Sequence, residues 1–397
     1  MNTNARGSLI RPLPLPASAS RPVVTPLSPS VAYASDTPDA LDAQYEGRVQ
    51  GYTYSREGHP NADVVAARLD AMEGVRGGIV TGSGMAAVTA TLLGLLQAGD
   101  HVIGGNQLYG RSLRLMTDDL PRLGIATSLG DPCDVEAIRA LIRPQTRLLL
   151  IEAVSNPTLR VADIDGLAAL CREAGILLAV DNTFTTPRGF QPFAHGADIV
   201  LHSITKLLAG HSDVMLGYVA ARDPDLAERL RVFSISTGLS PSPFDCWLAE
   251  RGLLSFDLRF DRAQATAARL ADHLATLPGV TRVIYPQRTD HPDHARARAL
   301  LGDQGCNMVS FELTGGRAAA NAFARAAEGL SFAPTLGDVG TTLSHPASSS
   351  HRGLTPQNRA ALGLSEGFFR ISVGLEEPEA LMRILTDAVA AATSVTG

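Results

Sequence analysis

Several features are scarce in this sequence. Four cysteines occur in 397 residues, Cys133, Cys171, Cys246 and Cys306. They lie far apart and form no CxxC pair, which argues against both a disulfide framework and a cysteine zinc site; they read as reduced core thiols. No apolar run reaches the roughly 20 residues needed to span a bilayer, and the first residues carry Arg6 and Arg11 without an apolar signal-like segment. A cytoplasmic protein that engages no membrane is expected. There is also no basic field: the net charge is −6 and the pI near 5.9, with basic residues scattered, so nucleic acid is not an expected partner. Histidines 195, 202, 211, 291, 294, 345 and 351 show no HExxH-type spacing, and no metal is expected.

What is present is ordinary globular composition, 45% hydrophobic and 19% charged, in a chain long enough for one large domain and a smaller one. Residues 1 to about 45 are rich in Pro, Ser and Ala, lack periodicity, and predict an extended arm. A helix is expected over Val64 to Met72, ending at Gly74. From Gly77 onward, apolar runs of four to six residues alternate with helical patterns: His101 to Asn106, Ile125 to Ser128, Arg147 to Ala153, Ile176 to Thr183 and Ala197 to His202. That alternation predicts an α/β fold with a mostly parallel sheet buried on both faces. A Ser/Gly/Pro-rich connection over Ser234 to Asp245 follows, then a long helix from Arg259 to Leu277. Short strands over Val280 to Tyr285, Met308 to Leu313 and Gly367 to Gly374 make the tail from about 260 a smaller α/β unit.

Ligands in such sheets sit at strand C-termini, and there the chemistry-bearing residues gather. Lys206 follows two hydroxyl residues, Ser203 and Thr205, just after an apolar strand and before a Gly-rich turn. This suits a Schiff-base lysine for pyridoxal 5'-phosphate (PLP). Asp181 ends its strand where a carboxylate needs a partner, and a pyridinium nitrogen is one; an Asx turn or helix cap is the plainer alternative. Gly84 and Met85 open a helix after a glycine turn, an anion site suited to a phosphate. The run Gly82-x-Gly84-x-x-Ala87 also fits a dinucleotide fingerprint, but the next strand ends in Asn106 where a ribose-binding acid is required. Tyr109 could stack on a planar ring and act as acid or base. Tyr54 and Arg56 could meet a phosphate, and Arg370, flanked by Phe369 and Ile371, suits a substrate carboxylate. A packing tyrosine and a surface loop are the competing readings for Tyr109 and for Tyr54–Arg56.

Tyr52-Thr-Tyr-Ser-Arg56, Gly82-Ser-Gly-Met85, Leu108-Tyr-Gly110, Glu152 with Ser155-Asn-Pro157, Val180-Asp-Asn-Thr183, His202-Ser-Ile-Thr-Lys206, Ser242-Pro-Phe-Asp245 and Arg370-Ile-Ser-Val-Gly-Leu375 together resemble the Cys/Met-metabolism family of PLP enzymes, over roughly residues 45 to 390. The resemblance implies PLP fold-type I (aspartate-aminotransferase-like), with an arm and inter-subunit loop over 1–60, a large PLP domain over 61–258 and a small C-terminal domain over 259–397. It implies a homotetramer of dimers whose active sites are shared. Tyr54 and Arg56 then serve the neighbouring subunit's phosphate beside Gly84, Met85, Ser203 and Thr205, Tyr109 stacks on the ring, Asp181 pairs with its nitrogen, and Asn156 and Arg370 hold the substrate carboxylate. Thr335 opens a segment similar to the family's Ser-Leu-Gly. Arg111 stands where methionine γ-lyases carry cysteine, and Gly340 where glutamate is common, so the substrate side departs from the pattern. The activity implied is γ-elimination or γ-replacement on an L-amino acid, with β-elimination or γ-elimination from a larger polar substrate such as canavanine as alternatives. Lys206 and Tyr109 are the expected catalytic residues.

Overall fold

The computed structural model describes residues 18–395; the proline run from Arg11 to Pro16 lies outside that range. The first sheet has seven strands: β1 (Ile79–Thr81), β2 (His101–Gly105), β3 (Ala126–Gly130), β4 (Thr146–Glu152), β5 (Leu177–Asp181), β6 (Ile199–Ser203) and β7 (Gly217–Ala221). Their order is β1-β7-β6-β5-β4-β2-β3. Strand β7 is antiparallel to both its neighbours, and every other pairing is parallel.

Alternation along the strands divides their side chains between two faces. Val102, Leu148, Leu150, Ala179, Ile199 and Leu201 pack with Ala87, Val88 and Leu92 of the helix Gly84–Leu95. Leu149, Ile151, Leu178, Val180 and Val200 pack on the other face with Val65 and Leu69 of the helix Pro60–Glu73 and Leu167 and Leu170 of the helix Ile164–Ala174. Each fully buried leucine or isoleucine contributes on the order of 2 kcal/mol. Both faces are therefore committed to core, and only the strand ends are free for chemistry.

The second sheet comprises β8 (Val280–Ile284), β9 (Met308–Leu313), β10 (Ser331–Phe332), β11 (Thr342–Ser344) and β12 (Phe368–Ser372), in the order β10-β11-β12-β9-β8. It is antiparallel except for β10 with β11. The helices Phe256–Leu274 and Pro378–Ser394 pack with it; the first of them runs across the expected division at 258/259.

Two sequence expectations are corrected. The stretch 1 to 45 is not without helix, since Thr37 caps Pro38–Tyr45 by accepting from the Ala40 N–H, with Pro38 at the first position. Residues 25–33 lie along the same chain: the Trp247 indole donates to the Thr25 carbonyl and Ser55 N to Val31 O. The Ser234–Asp245 connection is mostly helical. Ser234 belongs to the helix Pro224–Thr237, ended by Gly238 at φ +71°, and Ser242 caps the next helix, Pro243–Leu253. Serines and prolines placed at helix ends imitate a loop in composition.

Candidate active site

Lys206 is the sole lysine of the chain, the remaining 33 of the 34 basic residues being arginine. That count, and not only its neighbourhood, could have singled it out from the sequence. It lies in a turn directly after β6, with its N–H bonded to Ser203 O and its carbonyl accepting from Gly210 N. Arg259, itself buried, fixes this turn by donating to the carbonyls of Leu207, Leu208 and Gly252. Gly337, at φ +81°, lies against the same turn; a Cβ there would come within 2.4 Å of Leu207 N and 2.7 Å of Lys206 C. Sequence reasoning missed Arg259, whose helical run looked like an ordinary surface pattern.

The Lys206 ammonium is 3.5 Å from Thr335 Oγ1. Burial, and next the charge of Arg370, lower its pKa, so the amine is easier to deprotonate than an exposed lysine. Arg370, on β12 and buried, donates from Nη1 to Asn156 Oδ1 at 2.6 Å and from Nη2 to the Thr335 carbonyl at 2.9 Å. Its Nε is buried without a partner among the described residues. Burial lowers its pKa to about 10. A buried guanidinium with a donor to spare is a receptor for an anion.

Asp181 ends β5 in register with Glu152 at the end of β4. Asp181 Oδ1 accepts from the Thr183 N–H at 3.0 Å and from its hydroxyl at 2.5 Å, and Thr183 Oγ1 in turn accepts from Ser203 N. Burial raises the Asp181 carboxyl, and the Thr183 bonds and the charge of His202 oppose it. Glu152 is pushed well above the usual carboxylate range by burial and then by Asp181. Its two oxygens accept from Tyr109 N at 2.6 Å and Asn156 N at 3.2 Å, so it braces both residues. Tyr109 is 42% exposed.

The start of the helix Gly84–Leu95 leaves two backbone donors open. Ser83 takes the N–H groups of Ala86 and Ala87, leaving those of Gly84 and Met85 with no acceptor among the described residues. A Cβ on Gly84 would lie 2.8 Å from Ser203 Cβ, so only glycine brings helix and hydroxyl this close. The Thr205 hydroxyl donates to Leu216 O and accepts from Leu216 N; it reaches a phosphate only by releasing that carbonyl. These are the features PLP requires: a nucleophilic amine, a carboxylate at a strand end, and open N–H groups at a helix start.

The other named residues are placed differently. Arg56 stacks on the Tyr54 ring at 5.0 Å and lies 3.9 Å from Glu57, and its carbonyl accepts from Ser240; among the described residues none of their contacts is at the Lys206 cluster. Arg111 is exposed in the short helix Gly110–Arg114. Gly340 N donates to Asp338 Oδ1. His351, named above only among the histidines without metal-binding spacing, is buried near Arg370: burial and then the Arg370 charge lower its pKa to about 4. No group of three or more His, Cys, Asp or Glu side chains gathers as a metal site among the described residues.

A family model described as Cys/Met metabolism PLP-dependent enzyme matches residues 9–390. The chain is 37% identical to an L-methionine gamma-lyase of Pseudomonas putida over 93% of each protein. A cystathionine gamma synthase of Xanthomonas oryzae pv. oryzae, solved in complex with cystathionine, superposes with a TM-score of 0.88 at 35% identity over 94% of both chains. A putative O-acetylhomoserine (thiol)-lyase of Campylobacter jejuni, carrying a pyridoxyl-lysine monophosphate, superposes with a TM-score of 0.90 at 26% identity, covering 94% of this chain and 96% of the other.

Proposed function

The chain belongs to the Cys/Met-metabolism family of PLP-dependent enzymes, and from that premise we propose that it catalyses γ-elimination or γ-replacement on an L-amino acid with a leaving group at Cγ. Cystathionine, an O-acyl-homoserine, methionine or a related compound is the substrate class, and the products are 2-oxobutanoate with ammonia, or a thioether. The observation that carries this reading is the linkage of Lys206 through Thr335 to Arg370 and Asn156, which sets the amine beside a carboxylate receptor.

When bound, PLP supplies an electron sink for carbanions next to the substrate nitrogen. We assign Lys206 to hold it, Asp181 to pair with its ring nitrogen, and Gly84, Met85, Ser203 and Thr205 to bind its phosphate. Arg370 and Asn156 hold the substrate carboxylate, which fixes Cα within reach of the Lys206 amine. Lys206 then moves the protons at Cα and Cβ, and Tyr109 protonates the departing γ-substituent. Thr335, Arg111 and Gly340 are assigned to the substrate side, where the leaving group is chosen.

Tyr54 and Arg56 are assigned to the phosphate of a neighbouring subunit, which makes the active unit at least a dimer and, by the family's pattern, a homotetramer. Their lack of contact with the chain's own Lys206 cluster supports this. So do the exposed apolar side chains of Met215, Phe244, Leu254 and Leu258, which suit burial against another copy. We assign residues 61–258 to cofactor binding and 259–397 to the part that brings Arg370. Four unpaired cysteines fit a reducing, cytoplasmic location.

The test is a panel of γ- and β-substituted amino acids, with and without a thiol, and identification of the keto acid. 2-Oxobutanoate or a new thioether is expected. Pyruvate alone would replace the γ assignment with β-elimination.

A further inference from the structure

Two side chains of β12 grip one tripeptide of the loop beside Lys206. Arg370 and Ser372 are two positions apart and share a face of that strand. Arg370 donates to the Thr335 carbonyl at 2.9 Å, and Ser372 Oγ accepts from the Gly337 N–H at 2.8 Å. The tripeptide 335–337 meets the lysine turn at both ends. Thr335 Oγ1 is 3.5 Å from the Lys206 ammonium, and Gly337 lies so close to the peptide joining Lys206 and Leu207 that a Cβ would have no room. Two residues on, Val339 N donates to Gly210 O at 2.8 Å and closes the contact.

Ser372 is itself held from behind. Asn307, which directly precedes β9, donates from Nδ2 to Ser372 Oγ at 3.1 Å and to the Val373 carbonyl at 3.0 Å, while its own carbonyl accepts from Val373 N at 2.8 Å. Both side chains are buried. Asn307 Oδ1 is buried without a partner among the described residues, a desolvation cost that an apolar side chain of similar size would not carry. The hydroxyl accepts twice, from the amide and from Gly337 N, and so has both lone pairs filled. Valine would suit a buried strand position with no such cost, so the polar pair is explained by what it holds, the Gly337 N–H.

We propose that Ser372, braced by Asn307, is a positioning residue for the Lys206 amine: its hydroxyl holds Gly337 against the Lys206 peptide and so sets where Thr335 meets the amine. The inference rests on Lys206 moving the Cα proton. Ser372 acts through Gly337 and Thr335. The two β12 residues then divide the work, Arg370 fixing where the substrate carboxylate sits and Ser372 fixing where the base sits. Transfer of a proton from carbon depends on near-contact geometry, so a released loop slows it without weakening substrate binding.

The test is exchange of the Cα proton of L-norvaline, an amino acid with no Cγ leaving group, by purified holoprotein in deuterated water, followed by NMR. Ser372→Ala should lower the maximal exchange rate per bound PLP about tenfold and leave the half-saturating concentration within about twofold of the parent's. Ser372→Thr keeps the hydroxyl on a strand that favours β-branching, and should restore the rate to within about threefold of the parent. A purely structural bond would lower the melting temperature of Ser372→Ala and leave its exchange rate parental, which overturns the proposal. Equal slowing by alanine and threonine overturns it too, since the hydroxyl then does nothing. If Ser372→Ala does not accumulate as folded protein, Asn307→Leu decides: exchange about threefold slower supports the proposal, and a parental rate overturns it. A parent that exchanges no Cα proton refutes the role given to Lys206 and this proposal with it, whereas pyruvate in place of 2-oxobutanoate from the substrate panel refutes the γ assignment alone.

Discussion

Arg370 and Asn156, 214 residues apart in sequence, meet at 2.6 Å and so tie the β12 strand of the second sheet to the loop that follows β4 of the first. The guanidinium is shared between that amide and the Thr335 carbonyl, a planar fork no ammonium can copy. Arg370→Lys is therefore expected to raise KM about tenfold to a hundredfold, equivalent to roughly 1.4–3 kcal/mol of lost binding, with a smaller effect on kcat. Steady-state kinetics on the best substrate of the panel measure it. A larger fall in kcat than rise in KM would count against the carboxylate-clamp role.

Tyr109 is held by its N–H, bonded to Glu152, while the residue stays exposed. Tyr109→Phe keeps the ring and removes the acid, so kcat should fall about a hundredfold while PLP stays bound. Near-parental turnover would transfer the acid role elsewhere.

His351 gives the protein an acid-side weakness. Its folded pKa of about 4 lies below the ordinary histidine value of 6.5, so the unfolded chain takes up the proton first and stability falls as the pH drops through that window. The full loss is on the order of 3 kcal/mol. His59, His101, His291 and His345, also lowered by burial, act in the same direction. His351→Gln should flatten the decline of melting temperature between about pH 6.5 and 4.5; an unchanged slope would remove His351 from the account.

The parallel sheet was legible because both its faces are core: uninterrupted runs such as Leu148 to Ile151 and Leu177 to Val180 have no solvated side to break them. The strand-end residues Glu152, Asp181 and Lys206 could be read for the same reason, since polar groups directly after such runs have no place except a site. The second sheet was harder. β10 and β11 have two and three residues, too few for a periodic signal, and Thr342 to Ser344 pair with β12. The helix Pro378–Ser394 went unassigned although Pro378 opens it. Pairings such as Arg259 with three carbonyls, or Ser372 with Asn307, join residues distant in sequence and leave no local pattern.

The central claim is that Lys206 carries the cofactor, and the chain's single lysine makes it directly measurable. Purified protein should be yellow, and borohydride reduction followed by peptide mass analysis should find one pyridoxyl group per chain, on the peptide containing Lys206. Lys206→Ala should retain PLP through the phosphate cup, yield no adduct and lose turnover. Colourless parent protein, or an adduct at the N-terminal amine with Lys206 unmodified, would contradict the account.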